Sequence, residues 1–145
     1  MENYIIKELK NVQVLKFNIP NKNGRIYTSD NINLEDKLIQ EKLMYKSFIG
    51  TIDTTDSYDT TTGTMDISKL SHIITALYKR EDGLYADIDI LDTIEGNRLK
   101  TILEKSDKGG FRTVGNGNLK CDITTYHNIV TDYTLDTICF FIDPA

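Results

Sequence analysis

The 145-residue sequence contains no tryptophan, two cysteines and two histidines, and has neither a long basic run nor a long apolar one. Cys121 and Cys139 have no further Cys or His at ligand spacing, so a zinc site would lack donors and the two are expected to be free thiols. No cluster of Lys and Arg is longer than Lys79-Arg80, and 17 basic against 22 acidic residues give a net charge of −5. A nucleic-acid groove needs a basic stripe, so nucleic acid is not an expected partner. The longest apolar stretch, Thr137 to Ile142, is strand-sized rather than membrane-sized, so no membrane association is expected. Met1-Glu-Asn-Tyr-Ile-Ile-Lys7 has neither the basic start nor the apolar core of a signal peptide, which predicts synthesis and use in a cytoplasm.

What is present reads as one domain over residues 1–145, because the length matches a common domain size and no linker, repeat or low-complexity tract interrupts it. Tyr4 to Leu9 and Val12 to Ile19 alternate in polarity around Lys10-Asn11 and predict a hairpin or successive strands ended by Pro20. Asn21-Lys-Asn-Gly24 is turn chemistry. A helix is expected from Ser29 or Asp30 to about Tyr45, with Leu34, Leu38, Ile39 and Leu43 inward. Ser47 to Ile52 reads as a strand and Asp53 to Met65 as the longest loop. Glu81-Asp82-Gly83 predicts a hairpin joining the second half of Ile67–Tyr78 to the alternating run from Leu84 to Ile90. Thr93 should cap a second helix reaching about Lys105, with Leu99, Ile102 and Leu103 inward, Gly96 its weak point and Lys108-Gly-Gly110 ending it. Four further strands follow, from Phe111 to Ile142.

Candidate chemistry is sparse. Asp53, Asp56, Asp59 and Asp66 invite a calcium reading, but their spacing does not fit an EF-hand loop and the closing Glu is missing. Asn116-Gly117 reads as a tight turn rather than a phosphate cradle. No cofactor or metal is expected.

In order and spacing, several segments together resemble the prohead maturation proteases of tailed bacteriophages, whose fold is shared with the herpesvirus assemblins. They are Asn21 to Tyr27, a following helix, Gly50-Thr-Ile-Asp53, Ser71-His-Ile-Ile74, Ile90-Leu-Asp-Thr93, Gly110 to Gly117 and Ile142-Asp-Pro144. The resemblance covers about residues 18 to 144 and implies an α+β fold: a mainly antiparallel β-barrel or sheet with about two helices packed around it.

It also exposes a loss. The family segment matching Gly50 to Thr55 carries the catalytic His where this chain has Thr54, and a Thr hydroxyl takes up no proton near neutral pH. The family's Gly-x-Ser-Ser-Arg-Gly-x-Gly segment reads Gly110-Phe-Arg-Thr-Val-Gly-Asn-Gly117, so Arg112 and Thr113 replace the serines and Val114 the arginine. Gly115 and Gly117 remain, which suggests a retained backbone shape. His72 and His127 are the fallback bases, with Thr113 or Ser106 as fallback nucleophiles. His72 is expected to be structural and His127 a surface residue.

The resemblance therefore implies no catalytic residues at the matched positions. The expected role is an auxiliary or decoration protein of a phage head, made in the bacterial cytoplasm and resident in the virion. Its partners would be the major capsid protein or other head proteins, met through the edge strands, the termini or the 53–65 loop, any of which could add to a coat subunit's sheet, with self-association as a further option. The alternatives are an active prohead protease of serine or threonine type and a small β-rich binding module.

Overall fold

The computed structural model of the protein describes residues 4–21, 23–52, 58–59, 64–65, 67–106 and 109–142. Its elements in chain order are β1 (Ile5–Lys16), β2 (Arg25–Ile26), α1 (Lys37–Met44), β3 (Ile49–Thr51), β4 (Tyr58–Asp59), β5 (Thr64–Met65), β6 (Leu70–Arg80), β7 (Gly83–Leu91), α2 (Ile94–Lys105), β8 (Gly110–Asp122) and β9 (His127–Phe141). A four-stranded antiparallel sheet runs β1-β7-β6-β3, and a second sheet runs β2-β9-β8, in which β2 lies parallel to β9. Strands β4 and β5 form a small antiparallel pair within the stretch expected as a loop.

Of the two expected architectures, the chain builds sheets and not a closed barrel. Isolated bridges, Ile52 to Phe140 and Phe17 to Tyr27, link the two sheets where a barrel would need continuous ladders. One hydrophobic cluster nevertheless spans both, including Val14, Phe48, Ile74, Ile88, Ile138 and Phe140, with Leu99 of α2 and Ile39 of α1 joining it. Fully burying a side chain of this size stabilises by about 1.5–3 kcal/mol.

The hairpin signal at Gly83 holds: β6 and β7 pair from His72–Ile90 to Arg80–Gly83. Strand β6 begins at Leu70, so more of the Ile67–Tyr78 segment is extended than expected. Helix α2 starts where Thr93 predicts, its hydroxyl accepting from the Gly96 N–H at 2.8 Å and donating to the Leu70 carbonyl at 2.6 Å. Gly96 is more than a weak point, because a methyl group there would collide with the Leu91 carbonyl. The helix ends at an extended Ser106, while Gly109 takes φ +100° in the turn into β8.

Three expectations are corrected. Residues 4–16 contain no hairpin: β1 is one strand, and Lys10-Asn11 is a bulge with Asn11 at φ 58°. The Asn11 N–H donates to Asp87 Oδ1 and its Oδ1 accepts from Tyr78 and Arg80, which holds the bulge in place.

The first α-helix begins at Lys37, capped by Asp36, and Ser29–Asn31 forms only a 3-10 turn. Asn33 accepts from the Glu35 N–H, a local bond that competes with helix at that point. The shortened helix turns Leu38 outward, 56% exposed, while Ile39 is 4% exposed. Finally, the four expected C-terminal strands are two long ones, β8 and β9, interrupted by bulges rather than by turns.

Candidate functional site

The two sheets meet where β3 lies between β6 and β9, and side chains reinforce a junction that has, among the described residues, one isolated backbone bridge, Ile52 to Phe140. His72, on β6, reaches past Gly50 of β3 and places Nε2 2.8 Å from the Ile138 carbonyl of β9. Gly50 is required for that crossing, since a Cβ would overlap both the imidazole and the Ile138 oxygen. Thr137 donates to the Ile49 carbonyl, and Thr51 Oγ1 lies 3.6 Å from the Cys139 sulfur. Phe111 packs edge-on against the His72 ring, with centroids 5.2 Å apart.

A carbonyl oxygen only accepts, so Nε2 must carry a hydrogen and donate to Ile138. Nδ1 lies 2.7 Å from the Ser71 hydroxyl, which is also 3.3 Å from the Gly50 carbonyl. In neutral His72, Nδ1 accepts from Ser71. An imidazolium would instead donate to Ser71 and let Ser71 donate to Gly50, satisfying all three contacts. Burial decides between them: His72 is fully enclosed, and desolvation, only partly offset by the Ile138 hydrogen bond, lowers its pKa to about 4. Although Ser71 and His72 form a hydroxyl–imidazole pair, both side chains are 0% exposed, so no substrate carbonyl can approach them.

The segment that matches the family's nucleophile opens β8. Successive side chains of a strand point to opposite faces, so Phe111 and Thr113 share one face and Arg112 takes the other. The Thr113 hydroxyl accepts a hydrogen bond from Tyr133 at 3.2 Å, and Tyr133 packs edge-on against Tyr27. Arg112 donates from Nη1 to the Phe111 carbonyl at 3.1 Å and lines a pocket beside β1. Neither Gly115 nor Gly117 has a positive φ. Close packing accounts for both, since a side chain at Gly115 would meet the Thr134 carbonyl and Tyr133, and one at Gly117 would meet Val130.

The remaining expected residues disperse. His127 begins β9 and pairs with Asp122, whereas Thr113 pairs with Ile138. Nine residues of strand from 113 to 122 put His127 about 30 Å from Thr113. Ser106 caps the C-terminus of α2. Thr54, Asp53, Asp56 and Asp66 lie outside the described residues, and Asp59 is described only in its backbone. Cys121 and Cys139 are free thiols, as expected, the first exposed and the second buried. Among the described residues, no three His, Cys, Asp or Glu side chains converge on a point that would hold a metal, and no helix is long and apolar enough to cross a membrane.

Sequence reasoning located Arg112 and Thr113 but missed the His72–Gly50–Ile138 junction and the pocket beside β1. The junction had a signal, a small residue at position 50 and a histidine in an apolar strand, but nothing local paired them. The pocket had none, because its walls come from segments about a hundred residues apart.

No protein-family model matches the chain, and no curated protein matches it in sequence. The arrangement of sheets and helices is a phage prohead protease-like fold. Among solved structures the chain is similar to the capsid assembly protease of bacteriophage T4, gp21, with a TM-score of 0.70 and 16% identity over 95% of this chain and 92% of that one. At this identity the likeness establishes the fold alone.

Proposed function

We propose that this chain is a non-catalytic, auxiliary protein of a phage head that keeps a capsid-protease-like fold and binds coat or other head subunits without cutting them. The observation that carries this reading is that, among the described residues, the Thr113 hydroxyl has no base beside it. It stands in the segment that matches the family's nucleophile, its hydrogen-bond partner is Tyr133, and neither histidine reaches it. A hydroxyl nucleophile needs a base within hydrogen-bond reach. His72 is committed to the sheet junction, His127 lies at the far end of the β8–β9 hairpin, and Thr54 replaces the imidazole at the third position where the resemblance places one.

The fold also leaves β1 and β8 as the outer strands of their sheets, the kind of edge to which another chain can add a strand. An auxiliary component remains in the particle it helps to build. Copy counting by mass spectrometry of purified mature particles should therefore find the protein at a fixed ratio to the coat subunit. Presence in immature heads and absence from mature ones would contradict the reading.

A further inference from the structure

We propose that the cleft between β1 and the start of β8 binds an extended peptide segment through a carboxylate held by Arg112 and Lys16. This rests on the non-catalytic reading above and gives the partner of that same region a chemistry.

The cleft measures about 300 Å³ and is walled by Gln13, Leu15 and Lys16 of β1, by Pro20 and Tyr27, and by Arg112 of β8. Its lining, among the described residues, includes two cations and no carboxylate, in a chain whose acidic residues outnumber its basic ones by 22 to 17. Among the described residues neither cation has an ion pair. Arg112 spends one N–H on the Phe111 carbonyl, leaving most of its donor fork for a ligand. A planar guanidinium fork matches a carboxylate in two parallel hydrogen bonds.

The backbone favours an extended ligand. β1 is the outer strand of the first sheet and β8 of the second, and the two run close together with the cleft between them. A peptide laid along the cleft would run beside the outer strand of either sheet, the kind of edge to which a strand can add, while Ile19, Pro20 and Tyr27 offer an apolar wall. Two cations are too few for a phosphate backbone, which needs a longer basic track.

The carboxylate can come from an acidic side chain or from a chain terminus, and fluorescent probes separate the two. One probe is Gly-Val-Glu-Val-Gly with blocked ends, the second replaces Glu by Gln, and the third is the Gln peptide with a free C-terminal carboxylate. In fluorescence anisotropy, the first or third should bind about tenfold more tightly than the second, the equivalent of one good charged contact. Which of the two binds identifies the source. Arg112→Ala should abolish that preference. Lys16→Gln, at an exposed position that leaves the core untouched, should reduce it severalfold with no change in melting temperature.

Equal binding of all three probes would overturn the proposal, as would no binding, or a preference that survives both substitutions. Intact-mass measurement of the probes separates this test from the previous one. Cleaved peptide would sink the non-catalytic reading, whereas intact peptide that fails to bind would sink only the carboxylate site.

Discussion

Lowering the pH from 7.5 to 4.5 should weaken this fold specifically through His72. The unfolded chain takes up a proton on this residue near the ordinary 6.5, whereas the enclosed native imidazole resists protonation until about 4. The unfolded state therefore binds more protons between those values. His72's contribution to stability is complete above pH 6.5 and is lost progressively as the pH falls toward 4.

At about 1.4 kcal/mol for each pH unit, the loss at pH 4.5 is about 2.5 kcal/mol, a large part of the stability of a small domain. Urea unfolding of the wild type and of His72→Gln at both pH values isolates this share, because the other titrating groups are common to both proteins. The wild type should lose about 2–3 kcal/mol more than the variant across that interval. The imidazole carbon shift of His72 should stay at its neutral position down to about pH 4.5. A native His72 that titrates at or above 6.5, with no difference between the two proteins, would show that the imidazolium form bridging Ser71 and Ile138 prevails and would refute the reasoning.

Other substitutions test the packing. Gly50→Ala should destabilise by about 3 kcal/mol or more, because its methyl group overlaps the imidazole and the Ile138 carbonyl and overpacking is costly; a thermal melt within 2 °C of wild type, roughly half a kcal/mol or less, would contradict this. Gly96→Ala reverses a common rule: in an ordinary helix it would stabilise by about 1 kcal/mol. Here it should lower the melting temperature, since the new Cβ meets the Leu91 carbonyl. Thr93→Ala should cost about 1–2 kcal/mol in chemical denaturation, removing the cap on Gly96 and the bond to Leu70; no measurable cost would refute the capping role.

Local chemistry made the β6–β7 hairpin and α2 legible, because Gly83 and Thr93 act on neighbours within three or four residues. The bulge in β1 was not. Lys10-Asn11 has the polarity of a turn, and the bonds that hold it as a bulge come from Tyr78, Arg80 and Asp87. The start of α1 was misplaced for a related reason. Ser29 and Asp30 are plausible caps, but the turn they lie in ends at Asn31, and Asp36 performs the capping.

In the candidate site, the ordered motifs identified Arg112 and Thr113 and assigned His72 a structural place. They could not show what His72 spans, since its partner Ile138 is 66 residues away. Nor could they show that the glycines of the matched segment are explained by contacts with Val130, Tyr133 and Thr134.

The most direct test of the central claim is a cleavage assay. Purified protein is incubated with phage scaffold protein and with casein, and the products are followed by intact-mass spectrometry. The account predicts no new fragments from either substrate; fragments that disappear with Thr113→Ala would contradict it.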